Sequence, residues 1–130
     1  KSTKAEMQIR GALKDESEKI FRGTLDFVRG TKGSIGRERE EVILLNEGVR
    51  NRSVPLMLSG EDDVDGIHGV SVGKMDKAKL FYLMSRGLDL TEAQQLVVEA
   101  SFTPVLERIT NPELKEEIEL AIKERVSDER

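Results

Sequence analysis

Residues 61–93 read EDDVDGIHGVSVGKMDKAKLFYLMSRGLDLTEA, and the chain changes character inside that stretch, at Asp76. Before Asp76, glycines are frequent and apolar runs are short. After it, glycine nearly vanishes and helix formers dominate. Val64, Ile67, Val70 and Val72, set among glycines, suit a strand. Leu80, Phe81, Leu83 and Met84 suit a helix that Asp76 caps and Gly87 stops.

Working toward the N-terminus, more strands follow. Met7, Ile9 and Leu13 alternate with polar residues around Gly11. Phe21, Leu25 and Phe27 share one period-two parity with Gly23 between them. Val42 to Leu45 is a continuous apolar run, which predicts a strand covered on both faces. Val54 to Leu58 is interrupted by Pro55, which predicts an edge or strand-start position. Turns are marked at Gly30, Gly33, Gly36, Gly48 and Gly60. Short strands without intervening helices indicate an all-β unit, and a sandwich, a barrel or a solenoid all fit. The echo of Phe21-Arg22-Gly23, Val28-Arg29-Gly30 and Val49-Arg50-Asn51 is too loose to select the solenoid.

Toward the C-terminus, Thr91 with Gln94 reads as a capping box, and Ala93, Leu96, Val97 and Ala100 as one apolar stripe. Pro104 is expected to bend or end that helix. Asn111-Pro112 reads as a cap with an N1 proline, ahead of Leu114, Ile118, Ile122 and Val126 at intervals of four. This helical block would bury few large side chains alone and needs something to dock against.

Composition narrows the function. Of 130 residues, 21 are Lys or Arg and 25 are Asp or Glu, a net charge of −4, which argues against a nucleic-acid-binding module. There is no cysteine, so neither a disulfide framework nor a thiolate metal site can form from this chain. The lone histidine, His68, rules out a site needing two imidazoles from one subunit. No apolar run reaches the length of a membrane span. The chain opens at Lys1-Ser2-Thr3 and is expected to be part of a longer protein.

Several motifs dissolve on inspection. Glu61, Asp63, Asp65 and Gly66 imitate the start of a calcium loop, but the position that needs a bidentate Glu falls on Val72. Gly69 to Met75 brushes against a phosphate loop, but it is one residue short and Met75 replaces the magnesium-binding Ser or Thr. The basic, glycine-rich Gly30–Arg37, followed by Glu38, Glu40 and Glu41, reads as a flexible solvated turn. His68 has two readings: a metal or cluster ligand or proton carrier, or a hydrogen-bonded histidine in a tight turn. One histidine assembles no catalytic triad, and the scarcity of aromatic residues makes a β-helix carbohydrate lyase or hydrolase a poor reading.

The quoted stretch resembles the C-terminal signature of the SufB/SufD family, the scaffold proteins of iron–sulfur cluster assembly. The matching residues are Asp62, Asp63 and Val64; His68-Gly69; Val72-Gly73; Asp76; and Phe81 through Gly87. IFRGTLDF at Ile20–Phe27 is similar to the family's Phe-Arg-Gly strand, and ILLNEGVRNRSVPLML at Ile43–Leu58 to its Leu-Leu strand, turn and Pro-containing strand. The resemblance implies a mainly β fold with C-terminal α: a partial right-handed parallel β-helix over residues 1–75, then a helical ATPase-docking region over 76–130.

It further implies a cytoplasmic scaffold, not an enzyme, with no catalytic residue of its own. Such a scaffold pairs with a SufB/SufD-type paralogue and docks a SufC-type ABC ATPase. ATP-driven closure of the ATPase would shift the paired interface where the cluster is built. Phe81, Tyr82 and Arg86 are the implied docking residues. His68 is the implied cluster ligand, with the cluster transient and never held by this chain alone. Many family members have a cysteine two residues before that histidine, where this chain has Gly66. The family's glutamate-containing strand is Met57-Leu58 here. His68 is therefore one ligand at most, and the others must come from a partner. The His-Gly form leans toward SufD. The open end of a cut β-helix is expected to self-associate as a homo-oligomer, with neither nucleic acid nor membrane as a partner. The alternative is a β-solenoid interaction module with no cluster role.

Overall fold

The period-two stretches form five strands: β1 (Lys4–Leu13), β2 (Glu18–Phe27), β3 (Ser34–Leu44), β4 (Arg50–Ser59) and β5 (Val64–Lys74). Three helices follow: α1 (Lys77–Ser85), α2 (Leu90–Leu106) and α3 (Pro112–Ser127). This computed structural model describes residues 1–127, so the end of the expected 76–130 segment lies outside the described residues. The expectation of a mainly β chain with C-terminal α holds.

Each strand pairs with the next but one. β1, β3 and β5 form one parallel sheet, and β2 and β4 form a second. A tight turn cannot return a chain beside itself in parallel, so each strand must be followed by an excursion. Here the excursion is the strand of the opposite sheet. Lys4 pairs with Ile35, Glu18 with Arg50 and Ser34 with Val64. The turns use left-handed backbone at Asp15, Gly30 and Gly33.

Parallel pairing stacks like positions on like. Met7, Glu38 and His68 form one row across three strands; Ile9, Glu40 and Val70 form the next. Leu25 and Phe27 of β2 are buried, as their alternation predicts; of the apolar run in β3, Val42 is buried and Ile43 and Leu44 are half-buried. Each buried side chain here contributes roughly 2 kcal/mol through the water it leaves. The sheets approach closely enough that glycine is required. A Cβ on Gly36 would lie 2.7 Å from Phe27 Cζ, and one on Gly23 would lie 2.7 Å from the Glu38 carboxylate oxygens. Pro55 sits within β4, which is an edge strand as expected.

The segment 34–41 corrects the sequence reading. It is strand, not a solvated turn, and Glu38 and Glu40 face the interior, each 1% exposed. Arg37, Arg39 and Glu41 take the alternate positions. Lys19 of β2 reaches across the interior to ion-pair with Glu40 and also donates to Asn51 Oδ1 at 3.3 Å. Burial pushes the Glu40 carboxyl up. Hydrogen bonding from Lys19 and Ser53, with the Lys19 charge, outweighs burial and holds it below its ordinary 4.5.

The helices are fixed by their caps and by β1. Asp76 accepts from Ala78 N at 2.8 Å, as expected, and Gly87 follows α1 at a φ of 105°. The α2 capping box is formed by Asp89 and Glu92, not by Thr91 and Gln94. Leu88 and Ala93 occupy the staple positions around that box, which favours the earlier start. Pro104 does not end α2, which runs on to Leu106. Of the expected stripe, Ala93 is buried, but Val98 and Leu106 complete the buried face while Leu96 stays exposed. Asn111 Oδ1 caps α3 by accepting from Leu114 N at 3.1 Å. Arg108, beyond α2, donates to Glu6 of β1 at 3.1 Å. No helix is long and apolar enough to cross a membrane among the described residues.

The interior ion pair gives a test. Lys19→Met strands the Glu40 carboxylate in the interior and should cost about 3 kcal/mol in urea unfolding, while Lys19→Met/Glu40→Leu should recover most of it. Because the Glu40 carboxyl is held low in the folded chain, its contribution is present above its unfolded value. That contribution is lost as pH falls through the folded one. The unfolding midpoint of the parent should therefore drop more steeply below about pH 4.5 than that of the double variant.

Candidate functional site

His68 lies within β5, at an interior-facing position of the outermost strand of its sheet. It is not in a tight turn. Strand pairing places it directly beside Glu38, and its side chain is 28% exposed. The imidazole Nδ1 stands 3.6 Å from Glu38 Oε1. That oxygen is buried and has no hydrogen-bond donor within range. Gly23 on the opposite sheet leaves the space the carboxylate fills.

A cavity of about 140 Å³ opens between the ends of the two sheets, lined by Leu25, Glu38, Pro55, Leu56, Met57 and His68. Gly66, two residues before His68, is where Met57 fits: a Cβ there would collide with the Met57 thioether. The room beside Gly66 is thus filled by packing from β4. Chemically, the pocket offers one imidazole, one buried carboxylate and one thioether. Among the described residues no three of His, Cys, Asp and Glu come together to hold a metal ion.

The residues expected to dock an ATPase lie on and just beyond α1, which buries none of its side chains. Phe81 is 75% and Tyr82 57% exposed. Arg86 Nε donates to the Tyr82 hydroxyl at 3.4 Å, and its guanidinium lies 5.6 Å from the Tyr82 ring centroid. The structure therefore joins Tyr82 with Arg86 on one exposed turn and leaves Phe81 free beside them. A nine-residue helix is marginal by itself, so burial elsewhere does not account for aromatic residues here.

Sequence reasoning missed Glu38. Its signal was hidden in a run of charges, and the residue that reveals its burial, Gly23, lies on a different sheet.

Comparison with known proteins gives the family. Residues 1–101 match the SufBD core domain of the SUF system of iron–sulfur cluster assembly. The iron–sulfur cluster assembly protein SufD of Bacillus subtilis is 33% identical over 116 residues, which cover 89% of this chain and 26% of that protein. A SufBD family protein of Pyrococcus horikoshii is 34% identical over 116 residues, covering 87% of this chain and 26% of that protein. Escherichia coli SufD is 25% identical over 114 residues, covering 88% and 27%. The chain thus spans about a quarter of the length of these relatives. With its core-domain match and its parallel strands ending in capped helices, the chain belongs to the SufB/SufD family of iron–sulfur cluster assembly proteins.

Proposed function

We propose that this chain is a SufD-like scaffold segment of the SUF system, acting in the cytoplasm and carrying out no catalysis of its own. It presents His68 as a single ligand to a nascent iron–sulfur cluster. The observation that carries the reading is the placement of the only histidine on an outermost strand, beside a buried carboxylate and an open cavity. The cluster is cargo. A SufB/SufD-type paralogue approaching the open edge of β5 supplies the missing ligands, thiolates among them.

The finer fold in this reading is a right-handed parallel β-helix. Its support is the alternation of the chain between two parallel sheets with a near-constant spacing between paired strands. The helical region is then the pad held by a SufC-type ABC ATPase. The bare aromatic and Arg surface of α1 supports this, since exposed Tyr and Arg are favoured anchors at protein interfaces. A β-solenoid interaction module without a cluster role would have no use for a histidine aimed into a cavity.

His68→Ala tests the cluster role. It should leave the circular dichroism spectrum unchanged and cost about 1 kcal/mol of stability, because the imidazole is only partly buried. Cluster assembly by the complete SUF complex should fall at least tenfold; undiminished assembly would remove His68 from the ligand set. Docking is tested by retention of the SufC-type ATPase. Tyr82→Ala/Arg86→Ala should abolish co-purification, and full retention would move the interface elsewhere. The exposed Met57, Ile67, Val70 and Val72 beside the unpaired edge should drive self-association. Sedimentation should show a dimer growing with concentration, and Ile67→Lys should shift it toward monomer.

A further inference from the structure

Glu38 is a buried acceptor lacking a donor. Its side chain is 2% exposed, and Oε1 receives no hydrogen bond. Carboxylates at such positions are ordinarily satisfied, and an exception calls for a reason. The interior cation that could neutralise it, Lys19, is engaged by Glu40. The space for Glu38 is built in, because a side chain on Gly23 would fill it. The remaining lining of the cavity, Leu25, Pro55, Leu56 and Met57, offers no side-chain oxygen or nitrogen. One polar group faces Oε1: the imidazole of His68, with Nδ1 at 3.6 Å. A closure of a few tenths of an ångström turns that approach into a hydrogen bond.

We propose that Glu38 is the positioning residue of His68. It accepts a hydrogen bond from Nδ1–H, which fixes the ring and keeps the single proton of the neutral imidazole on Nδ1. The lone pair then resides on Nε2, leaving that nitrogen as the electron-pair donor. A carboxylate behind a ligating imidazole acts this way wherever the second ring nitrogen must be freed and aimed. The use of Nε2 toward a cluster rests on the function proposed above. The pairing of Glu38 with His68 does not, and it can be read with no cluster present.

The measurement is 15N NMR of the histidine-labelled protein at an alkaline pH where imidazole is neutral, with the His68 signals assigned by their loss in His68→Asn. The parent should show a protonated Nδ1 and an unprotonated Nε2, the reverse of the preference of an unassisted imidazole. Glu38→Leu keeps an apolar group of similar size in the interior and should swap the two resonances. Glu38→Gln keeps an acceptor oxygen and should retain the parent pattern. A parent His68 carrying its proton on Nε2 overturns the proposal, however the variants fold. A Glu38→Leu protein with native circular dichroism and an unswapped ring also overturns it. The assembly role of His68 is judged separately, by the activity of the complete complex.

Discussion

The structure depends on parallel, in-register pairing between each strand and the next but one. Parallel strands present the same face at the same height, so a residue pointing inward stacks on inward residues of its neighbours. One constraint then does several things together. It lines up Leu25 and Phe27 against Gly36, encloses Glu38 and Glu40, and sets His68 beside Glu38. It also leaves the outermost strand, β5, with a row of unsatisfied partners on its far side. The helices adjoin this arrangement through α2, which packs on β1 as well as on α1 and α3 and buries Ala93, Val98 and Leu106.

Two interior glutamates with different surroundings show how the same residue type divides its duties. Glu40 faces Lys19, and hydrogen bonds and charge hold it ionised against the cost of burial. Breaking such a pair is expensive, although the intact pair adds little net stability, so Glu40 belongs to the architecture. Glu38 lacks that cation; its Oε1, like Oε2 of Glu40, has no hydrogen-bond donor, but it is Glu38 that has the His68 imidazole beside it. A fold selected for stability alone would fill the space before Gly23 with an apolar side chain. The carboxylate there makes sense when the imidazole of His68 is counted as its partner.

Much of the fold was legible because hydropathy alternated where the strands are. Phe21, Leu25 and Phe27 announced β2, and Asp76, Gly87 and Asn111-Pro112 announced helix ends through local chemistry that needs no tertiary context. The stretch Arg37–Glu41 failed because every position is charged, so a period-two pattern has no contrast to display. What buries Glu38 and Glu40 is supplied by Gly23 and Lys19 on the opposite sheet. The capping box was misplaced by two residues because Asp89/Glu92 and Thr91/Gln94 satisfy the same local rule. The choice between them falls to the apolar residues at Leu88 and Ala93. His68 was found as a residue but not as a geometry, since its partner Glu38, beside it in the sheet, is far from it in sequence.

Ligand arithmetic then ties the site to its openness. A cluster needs several donors, and thiolates dominate among them. This chain has no cysteine and one histidine, and packing from Met57 occupies the room beside Gly66. A closed sheet would seal His68 behind another strand and leave it only Glu38 to address. An open β5 edge keeps the ring 28% accessible at the cost of exposed apolar side chains at Val70 and Val72, which share its face. Such an edge is a liability in an isolated chain and an asset in one that must meet a partner. Under the proposed reading, the partner that covers the apolar row also brings the donors, so protection of the edge and completion of the ligand set are one event.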